Sequence, residues 1–310
     1  MTNIPLIPFF IAVLLAAHGL RKKSLSPSGA LGAFIVGFLM MSPRVKSFGV
    51  SLIVFYLVGS RATKVGKSIK AKLEDGHQEA GYRSAAQVFC NSASAFVASV
   101  IWAGLFTPGS TIGKLIPADL VSQGGNYDPD VLCPLSANLG NGWSRYLLLI
   151  CLGHFACCLG DTLASELGIL AKSPPILITT LRSVPPGTNG GVSLLGTIAS
   201  LSGGIIMGLT MGVSLAVESS ACRSSIVPLI TQLVLIGASA GLFGSLLDSF
   251  MGATIQCTRY STSKKLILQD ESPATDDKEV KVISGFNLLT NNQVNLVSSI
   301  ITALVTAQLG

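Results

Sequence analysis

The chain has 310 residues, of which 49 % are hydrophobic and only 12 % are charged, with 33 glycines and a mean hydropathy of +0.61. Soluble domains carry roughly a quarter charged residues, so this composition excludes a disordered chain, a disulfide scaffold and a soluble domain with one membrane anchor. The net charge of +6 does not indicate a nucleic-acid partner, because the basic residues sort to one side of the predicted membrane. We therefore expect a glycine-rich all-α protein that forms a single integral membrane domain over residues 1–310 and contacts membrane lipids.

Eight apolar segments are candidates for helices that cross a hydrocarbon core of roughly 30 Å. The second and third are short and lie close together, so they either span twice or form a short re-entrant hairpin. The sequence predicts a polytopic transmembrane helical bundle of about eight helices, at 4–20, 26–42, 46–62, 86–106, 146–170, 190–215, 226–254 and 292–309.

The basic residues predict the orientation of this bundle. No positive residue precedes the first helix, whereas Arg21, Lys22 and Lys23 follow it directly, so the N-terminus is expected on the non-cytoplasmic side. The predicted cytoplasmic side then carries sixteen Lys and Arg residues and the opposite side five. In a eukaryote this favours an endomembrane such as the endoplasmic reticulum, and the short stretch before the first helix makes plastid import an unfavoured alternative. The cytoplasmic loops are 21–27, 61–83, 171–189 and 258–291.

Two loops are expected to be irregular. Residues 107–145 are rich in Gly, Pro, Asn and Ser and should form a non-cytoplasmic loop, whereas residues 258–291 carry a mixed-charge stretch typical of a mobile cytoplasmic linker. The seven cysteines are odd in number and show no CxxC spacing, so neither a disulfide framework nor a zinc site is expected.

Three carboxylates fall inside predicted spans, where an ionised side chain costs about 2.5–3.5 kcal/mol on insertion scales. Asp161 and Glu166 lie on the fifth span, and Asp248 lies on the seventh between Gly244 and Gly252. All three are candidate catalytic residues. Asp161 and Asp248, on different helices near the same membrane face, are candidate ligands of a divalent cation such as Mg²⁺ together with its phosphate partner. The alternative is a polar clamp between helices.

A glycine-rich loop, PPGTNGG, precedes the sixth helix and is a candidate phosphate-binding element. The N–H groups at a helix N-terminus can hold an anion, and glycines permit close backbone approach. The alternative is a rigid turn with a helix cap. The candidate residues are Gly187, Thr188, Asn189, Gly190 and Gly191, flanked by Lys172 and Arg182.

Polar side chains also enter the bundle from the cytoplasmic side on two other helices. Arg83, Gln87 and Asn91 follow one another at four-residue spacing, and Asn292 and Asn295 lie at the start of the last helix. Such amides either bind a polar ligand or bridge neighbouring helices.

Six separated blocks resemble the transmembrane protein 19 family, over residues 19 to 304. This family includes a plant phytyl-phosphate kinase and is similar to CTP-using membrane enzymes such as dolichol kinase and phosphatidate cytidylyltransferase. The resemblance implies an isoprenoid phosphate as substrate, a nucleoside triphosphate, with CTP favoured, as co-substrate, and roles in the site for the motif residues named above. The blocks are SGALGAF, AGYRSAAQVFCN, GDTLASELG, LITTLRSVPPGTNGGVSLLG, GSLLDSFMGATIQ and NNQVNLVSS.

Two functions agree with these observations. The first is a Mg²⁺-dependent kinase that uses a nucleotide to phosphorylate isoprenyl, phytyl-like, monophosphates. The second is a membrane transporter or a non-catalytic membrane protein that uses the same carboxylates to bind ions or protons. The oligomeric state is left open by the sequence.

Overall fold

The structure is a computed structural model that describes residues 5–73, 82–107, 109–110, 127–268 and 280–310. Short strands accompany the helices, so the described chain is mostly, not wholly, α-helical. The helices are α1 (Leu6–Arg21), α2 (Pro27–Met41), α3 (Ser47–Ala62), α4 (Lys67–Lys70), α5 (Ala85–Cys90), α6 (Ala93–Phe106), α7 (Trp143–Gly168), α8 (Leu194–Glu218), α9 (Ser220–Arg223), α10 (Ile226–Thr254) and α11 (Asn291–Leu309). The strands are β1 (Ile176–Leu177), β2 (Gly191–Val192), β3 (Thr258–Ser261), β4 (Leu266–Leu268) and β5 (Val280–Ser284).

Three helical segments among the described residues are long and apolar enough to cross a membrane: Leu139–Gly168, Leu194–Glu218 and Ile226–Thr254. The helices α1, α2, α3 and α6 are apolar but shorter. The long helix α7 is the central one, since its apolar stretch is largely buried by its neighbours. The helical membrane class predicted from the sequence is confirmed, whereas the count of eight spans stays a prediction.

The hairpin of α2 and α3 reaches from one end of the bundle to the other. The turn between the two helices contacts the far end: Arg44 Nη1 donates to the Tyr127 carbonyl at 2.9 Å, and the Lys46 backbone N–H donates to Glu218 Oε2 at 2.6 Å. Ser26, at the start of α2, instead donates its backbone N–H to the Arg83 carbonyl at 3.0 Å, at the opposite end. The helices α2 and α3 therefore each run between the two ends of the bundle.

The segment predicted as one helix at 86–106 is broken into α5 and α6. Asn91 and Ser92 leave helical geometry, and the Ser92 hydroxyl donates to the Val88 carbonyl at 2.8 Å. A side chain that bonds to the preceding turn competes with the backbone ladder and ends the first helix. The break places Asn91 at the wall of a cavity described below.

The described part of 258–291 is a three-stranded antiparallel sheet, so the expectation of a mobile linker is corrected there. The strand order is β4-β3-β5, and Thr258 and Ile267 are buried. The Ile267 N–H donates to the Leu73 carbonyl at 3.1 Å, which ties the sheet to the loop after α4. The charged residues of this segment obscure the alternation of apolar and polar side chains that predicts strands, so the sequence did not indicate them. Residues 269–279, and residues 111–126 of the predicted loop 107–145, lie outside the described residues.

A disulfide joins Cys133 to Cys222, 89 residues apart, which the sequence did not indicate. It ties the segment before α7 to α9, and the Ser219 hydroxyl reinforces the contact by donating to the Pro129 carbonyl at 2.7 Å. Spacing alone could not reveal the pair, because the two cysteines meet only when α8 brings its far end to that segment. The other five cysteines are free.

Glycines let α7, α8 and α10 meet backbone to backbone. A Cβ added at Gly160 of α7 would lie 2.8 Å from the Gly241 carbonyl oxygen of α10, and one at Gly203 of α8 would lie 2.8 Å from the Gly160 Cα. Small residues at such positions permit the close approach on which helix association in lipid depends. Gly160, Gly203 and Gly241 therefore lie in the packing seams between these three helices.

Replacing Gly203 by valine should force α8 away from α7. Overpacking of this kind costs typically 1–3 kcal/mol, and we expect the upper end because the obstructing atoms belong to backbone. The thermal midpoint of the purified protein, followed by size-exclusion chromatography after heating, should fall by several degrees. Leu201→Val, on the exposed face of the same helix, is the control. Equal midpoints for the two variants would contradict this account of the seam.

Candidate functional site

The four loops predicted to be cytoplasmic meet at one end of the bundle. Leu25 forms a bridge with Arg83, and the Asn189 N–H donates to Thr258 Oγ1 at 3.2 Å. Between these loops and the helix ends lies a polar cavity of about 770 Å³. This volume falls within the 300–1,000 Å³ typical of small-molecule sites. We refer to it as the polar cavity.

Most of the site residues predicted from the sequence line the polar cavity. Two do not: Lys172 and Arg182 are exposed and lie outside the lining. The residues brought together are Arg83, Gln87, Asn91, Asp161, Glu166, Gly187, Thr188, Asn189, Gly190, Gly191, Asp248, Asn292 and Asn295.

The carboxylates of Asp161 and Asp248 lie close enough for their charges to interact. Asp248 is buried and Asp161 is partly buried. Ser298 Oγ donates to Asp248 Oδ2 at 2.8 Å, and Ser245 lies beside Asp161. With its amide nitrogen turned toward the carboxylate, Asn295 also donates to Asp248 Oδ2 at 3.2 Å. Two close carboxyl groups that have hydroxyl and amide neighbours, and no cationic partner among the described residues, offer oxygen ligands to the cavity.

The glycine seams set the spacing of this acid pair. Gly160 precedes Asp161 and lies against Gly241 of α10. One turn before Asp248, a Cβ at Gly244 would lie 2.5 Å from Cys157 Sγ of α7. Any side chain at these glycines would separate the two helices and the carboxylates that they carry.

Glu166 has a different environment, because it forms an ion pair with Lys70 at 2.5 Å. Lys70 is only 1 % exposed and also donates to the carbonyls of Ala62 and Thr63, each at 3.3 Å. Sequence reasoning missed Lys70, which lies in the predicted loop 61–83. The available signal was indirect: a carboxylate in an apolar helix commonly pairs with another polar or charged group.

Arg83 is held at the cavity wall by its backbone and its side chain. Its N–H donates to the Ser24 carbonyl at 3.0 Å, and its Nη1 donates to Ser60 Oγ at 2.8 Å. Burial lowers the pKa of the guanidinium from its ordinary value, while nearby Glu166 raises it. Arginine keeps its charge under such shifts, so Arg83 is a fixed cation facing the cavity.

The loop at 187–191 lines the cavity as a rigid turn. Gly187 and Gly190 have φ of 86° and 78°, which favours glycine. The N–H groups of Thr188, Asn189 and Gly191 are satisfied within the fold, so they do not form an open cradle. The strand β2 separates the loop from α8, whose cap is Ser193, not Thr188 or Asn189: Ser193 Oγ accepts from the Gly196 N–H at 3.1 Å. Ser193 and Gly196 also line the cavity.

These features define a helical integral membrane protein with a polar cavity that carries charges of both signs at one end. The chain belongs to the family described as integral membrane protein DUF92, which matches residues 10–303. The resemblance recognised from the six sequence blocks is thereby confirmed. No solved structure matches this chain.

Three relatives cover most of the chain. Protein PGR of Arabidopsis thaliana is 34 % identical over 297 residues, which is 96 % of this chain and 93 % of that protein. An uncharacterized membrane protein of Methanocaldococcus jannaschii is 27 % identical over 256 residues, 81 % of this chain and 84 % of that protein. Protein VTE6, chloroplastic, of Arabidopsis thaliana is 23 % identical over 298 residues, 95 % of this chain and 68 % of that protein. These relatives support an integral membrane location but lend no support to the endoplasmic reticulum.

The ion pair gives a prediction about stability. Lys70→Met should leave Glu166 without its cation and destabilise the protein by about 2 kcal/mol, less than the 3–5 kcal/mol typical of a fully buried pair. The reduction follows from the 21 % exposure of Glu166, which lets water screen part of its charge. The double variant Lys70→Met/Glu166→Gln should recover most of the loss in thermal midpoint. Exposed Lys72→Met is the control, and a double variant no more stable than Lys70→Met would refute the pairing argument.

Proposed function

We propose that this protein is a Mg²⁺-dependent kinase that transfers a phosphoryl group from a nucleoside triphosphate to an isoprenyl, phytyl-like, monophosphate. One observation carries the proposal: the polar cavity is lined both by the acid pair of Asp161 and Asp248 and by the cation Arg83, which lies near the Lys70–Glu166 ion pair. Metal-bound phosphates need both kinds of charge in one site.

The acid pair fits Mg²⁺ by its chemistry. This ion takes oxygen ligands and is commonly bound through one or two carboxylates together with substrate phosphates. Within the described residues no group of three or more His, Cys, Asp and Glu side chains forms a closed metal cage. Asp161 and Asp248 would hold the ion, which would offset the negative charge of the phosphates.

The chain's own groups position the two phosphates. An oxygen of the isoprenyl monophosphate attacks the γ-phosphorus, the bond from that phosphorus to the β,γ-bridging oxygen breaks, and the products are an isoprenyl diphosphate and a nucleoside diphosphate. Catalysis in such a transfer is chiefly positioning and charge stabilisation. We assign the phosphate charge to Arg83 in place of Lys172 and Arg182, which lie outside the cavity. Lys70 adds positive charge to the cavity wall, while its ammonium stays bonded to Glu166 and to two carbonyls. Glu166 then acts by holding Lys70.

The remaining polar walls would serve recognition. The 187–191 turn contributes its shape and the side chain of Asn189, and α11 contributes Asn292 and Asn295. CTP is the favoured donor because the sequence resembles CTP-using membrane enzymes.

We further propose that the polar cavity faces the cytoplasm and that the eight predicted helices span the membrane with the N-terminus on the other side. The excess of Lys and Arg in the loops around the cavity supports this orientation. The disulfide of Cys133 and Cys222 lies at the opposite end, and disulfides persist in oxidising compartments. An endomembrane location satisfies both conditions.

The test is an assay of the purified protein with Mg²⁺, labelled CTP, ATP, GTP or UTP, and a panel of isoprenyl monophosphates. Diphosphate should form, EDTA should abolish it, and Asp161→Asn or Asp248→Asn should each lower kcat by at least about 10²-fold, as loss of one preorganised charge does. Asp130→Asn, an exposed aspartate before α7, is the matched control.

Full activity in Asp161→Asn would sink the proposal. If no nucleotide gives product and none shifts the thermal midpoint with Mg²⁺, the kinase fails. In that case pH-dependent flux in proteoliposomes without nucleotide would assign the acid pair to transport.

A further inference from the structure

A second, narrow cavity of about 70 Å³ lies among α1, α2, α3 and α5. Its walls are almost entirely apolar and include small side chains such as Ala12, Ala16 and Ala33, together with Gly37. We refer to it as the apolar cavity. A cavity lined in this way suits an apolar occupant.

The two cavities share one wall. Arg83, Gln87 and Asn91 line both of them. The only side-chain hydrogen bond that the described residues give the Arg83 guanidinium goes to Ser60, so most of its five donors are unused. Among the described residues, the Asn91 side-chain amide also has no hydrogen-bond partner. A cation and an unused amide thus stand between a polar and an apolar compartment, which is the arrangement that an anionic amphiphile requires.

The size of the apolar cavity defines what part of a lipid it can take. Its volume of about 70 Å³ is far below the 300–1,000 Å³ of a typical ligand site, so it takes only a short apolar segment, such as one five-carbon isoprene unit. The two acyl chains of a phosphatidate cannot share this space. The rest of a single chain must leave sideways between helices.

The arrangement of α1 provides that exit. This helix packs chiefly on α2, and it is tied to α3 near the polar end through the 2.8 Å hydrogen bond of Ser24 with Tyr56. Its outer face carries the exposed side chains of Ile7, Phe10 and Leu14, which suit contact with lipid. The side between α1 and α3 therefore leads from the apolar cavity toward the hydrocarbon.

We propose that the apolar cavity seats the isoprene unit next to the phosphate of the isoprenyl monophosphate, that Arg83 holds that phosphate, and that the rest of the chain extends between α1 and α3 into the membrane. This inference rests on the proposed function for its choice of ligand. In this arrangement the isoprenyl monophosphate binds on the side of the polar cavity next to α5, and the nucleotide binds on the side next to the 187–191 turn. Specificity should reside in the first isoprene unit, with tolerance for the length beyond it.

The first experiment measures binding without turnover. An isoprenyl monophosphate with a photoactivatable diazirine in its first isoprene unit is irradiated with the full chain in lipid nanodiscs, and the labelled peptides are identified by mass spectrometry. Label should fall on peptides of α1, α2 and α3. Unlabelled isoprenyl monophosphate should compete, whereas inorganic phosphate and phosphatidate should not. Label spread over the exposed faces of α8 and α10 would overturn the proposal.

The second experiment fills the apolar cavity with a larger side chain. A Cβ at Gly37 would have its nearest neighbours at 3.9 Å, in Met41, and 4.0 Å, in Ala12, so Gly37→Leu adds bulk to the apolar cavity without meeting backbone. It should cut labelling at least fivefold and raise the KM for the isoprenyl monophosphate at least tenfold, with the KM for the nucleotide unchanged. Leu31→Phe, on the exposed face of the same helix, should change neither. The smaller change Ala33→Val should give the same effects in weaker form if Gly37→Leu fails to fold.

The outcomes separate the two proposals. Competed labelling of the apolar cavity without nucleotide turnover would keep this binding site and remove the kinase. Turnover with an unchanged KM in Gly37→Leu and Ala33→Val would keep the kinase and remove this seat for the chain.

Discussion

The close approach of α7, α8 and α10 is the constraint on which the rest of the molecule depends. Within a membrane, lipid tails are as apolar as leucine, so helices associate through tight packing and not through exclusion from water. Gly160, Gly203 and Gly241 supply that packing by removing the side chains at the crossing points. The same contacts place Asp161 and Asp248 side by side, although they are 87 residues apart in the sequence. The geometry of the acid pair is therefore a consequence of glycine packing.

The carboxylates of the site are of two kinds, those with a cationic partner and those without one. Glu166 is neutralised by Lys70, a lysine that is itself almost wholly enclosed. Asp248 accepts from a hydroxyl and an amide, Asp161 has a hydroxyl beside it, and neither has a cationic partner among the described residues. The first kind is satisfied by its ion pair, whereas the second kind offers oxygen ligands without a cation. Our proposal that the aspartates hold the metal and that Glu166 has a supporting role rests on this contrast.

Local sequence predicted the helical class, the family and most of the cavity lining, because each depends on composition, on periodicity or on contiguous motifs. Arg83, Asp161 and Asp248 were accessible in this way, since charges are rare near apolar helices. Lys70 was not, because nothing near it in the sequence distinguishes it from Lys67 or Lys72. The strands β3 to β5 were hidden by their charged surroundings, and the break at Asn91 was hidden by an otherwise continuous apolar run. Lys172 and Arg182 flank the glycine loop in the sequence but not in space.

The sequence by itself determined that this is a helical membrane protein, which of its loops are basic, and which carboxylates must be functionally or structurally satisfied. These conclusions follow from the energetic cost of placing charge in hydrocarbon, which acts on each residue wherever it later packs. Only the tertiary structure decided which acids are paired with a lysine, that Cys133 and Cys222 meet, and that an apolar cavity adjoins the polar one at Arg83. Those features depend on contacts between residues far apart in the chain, and such contacts exist only after the helices have packed.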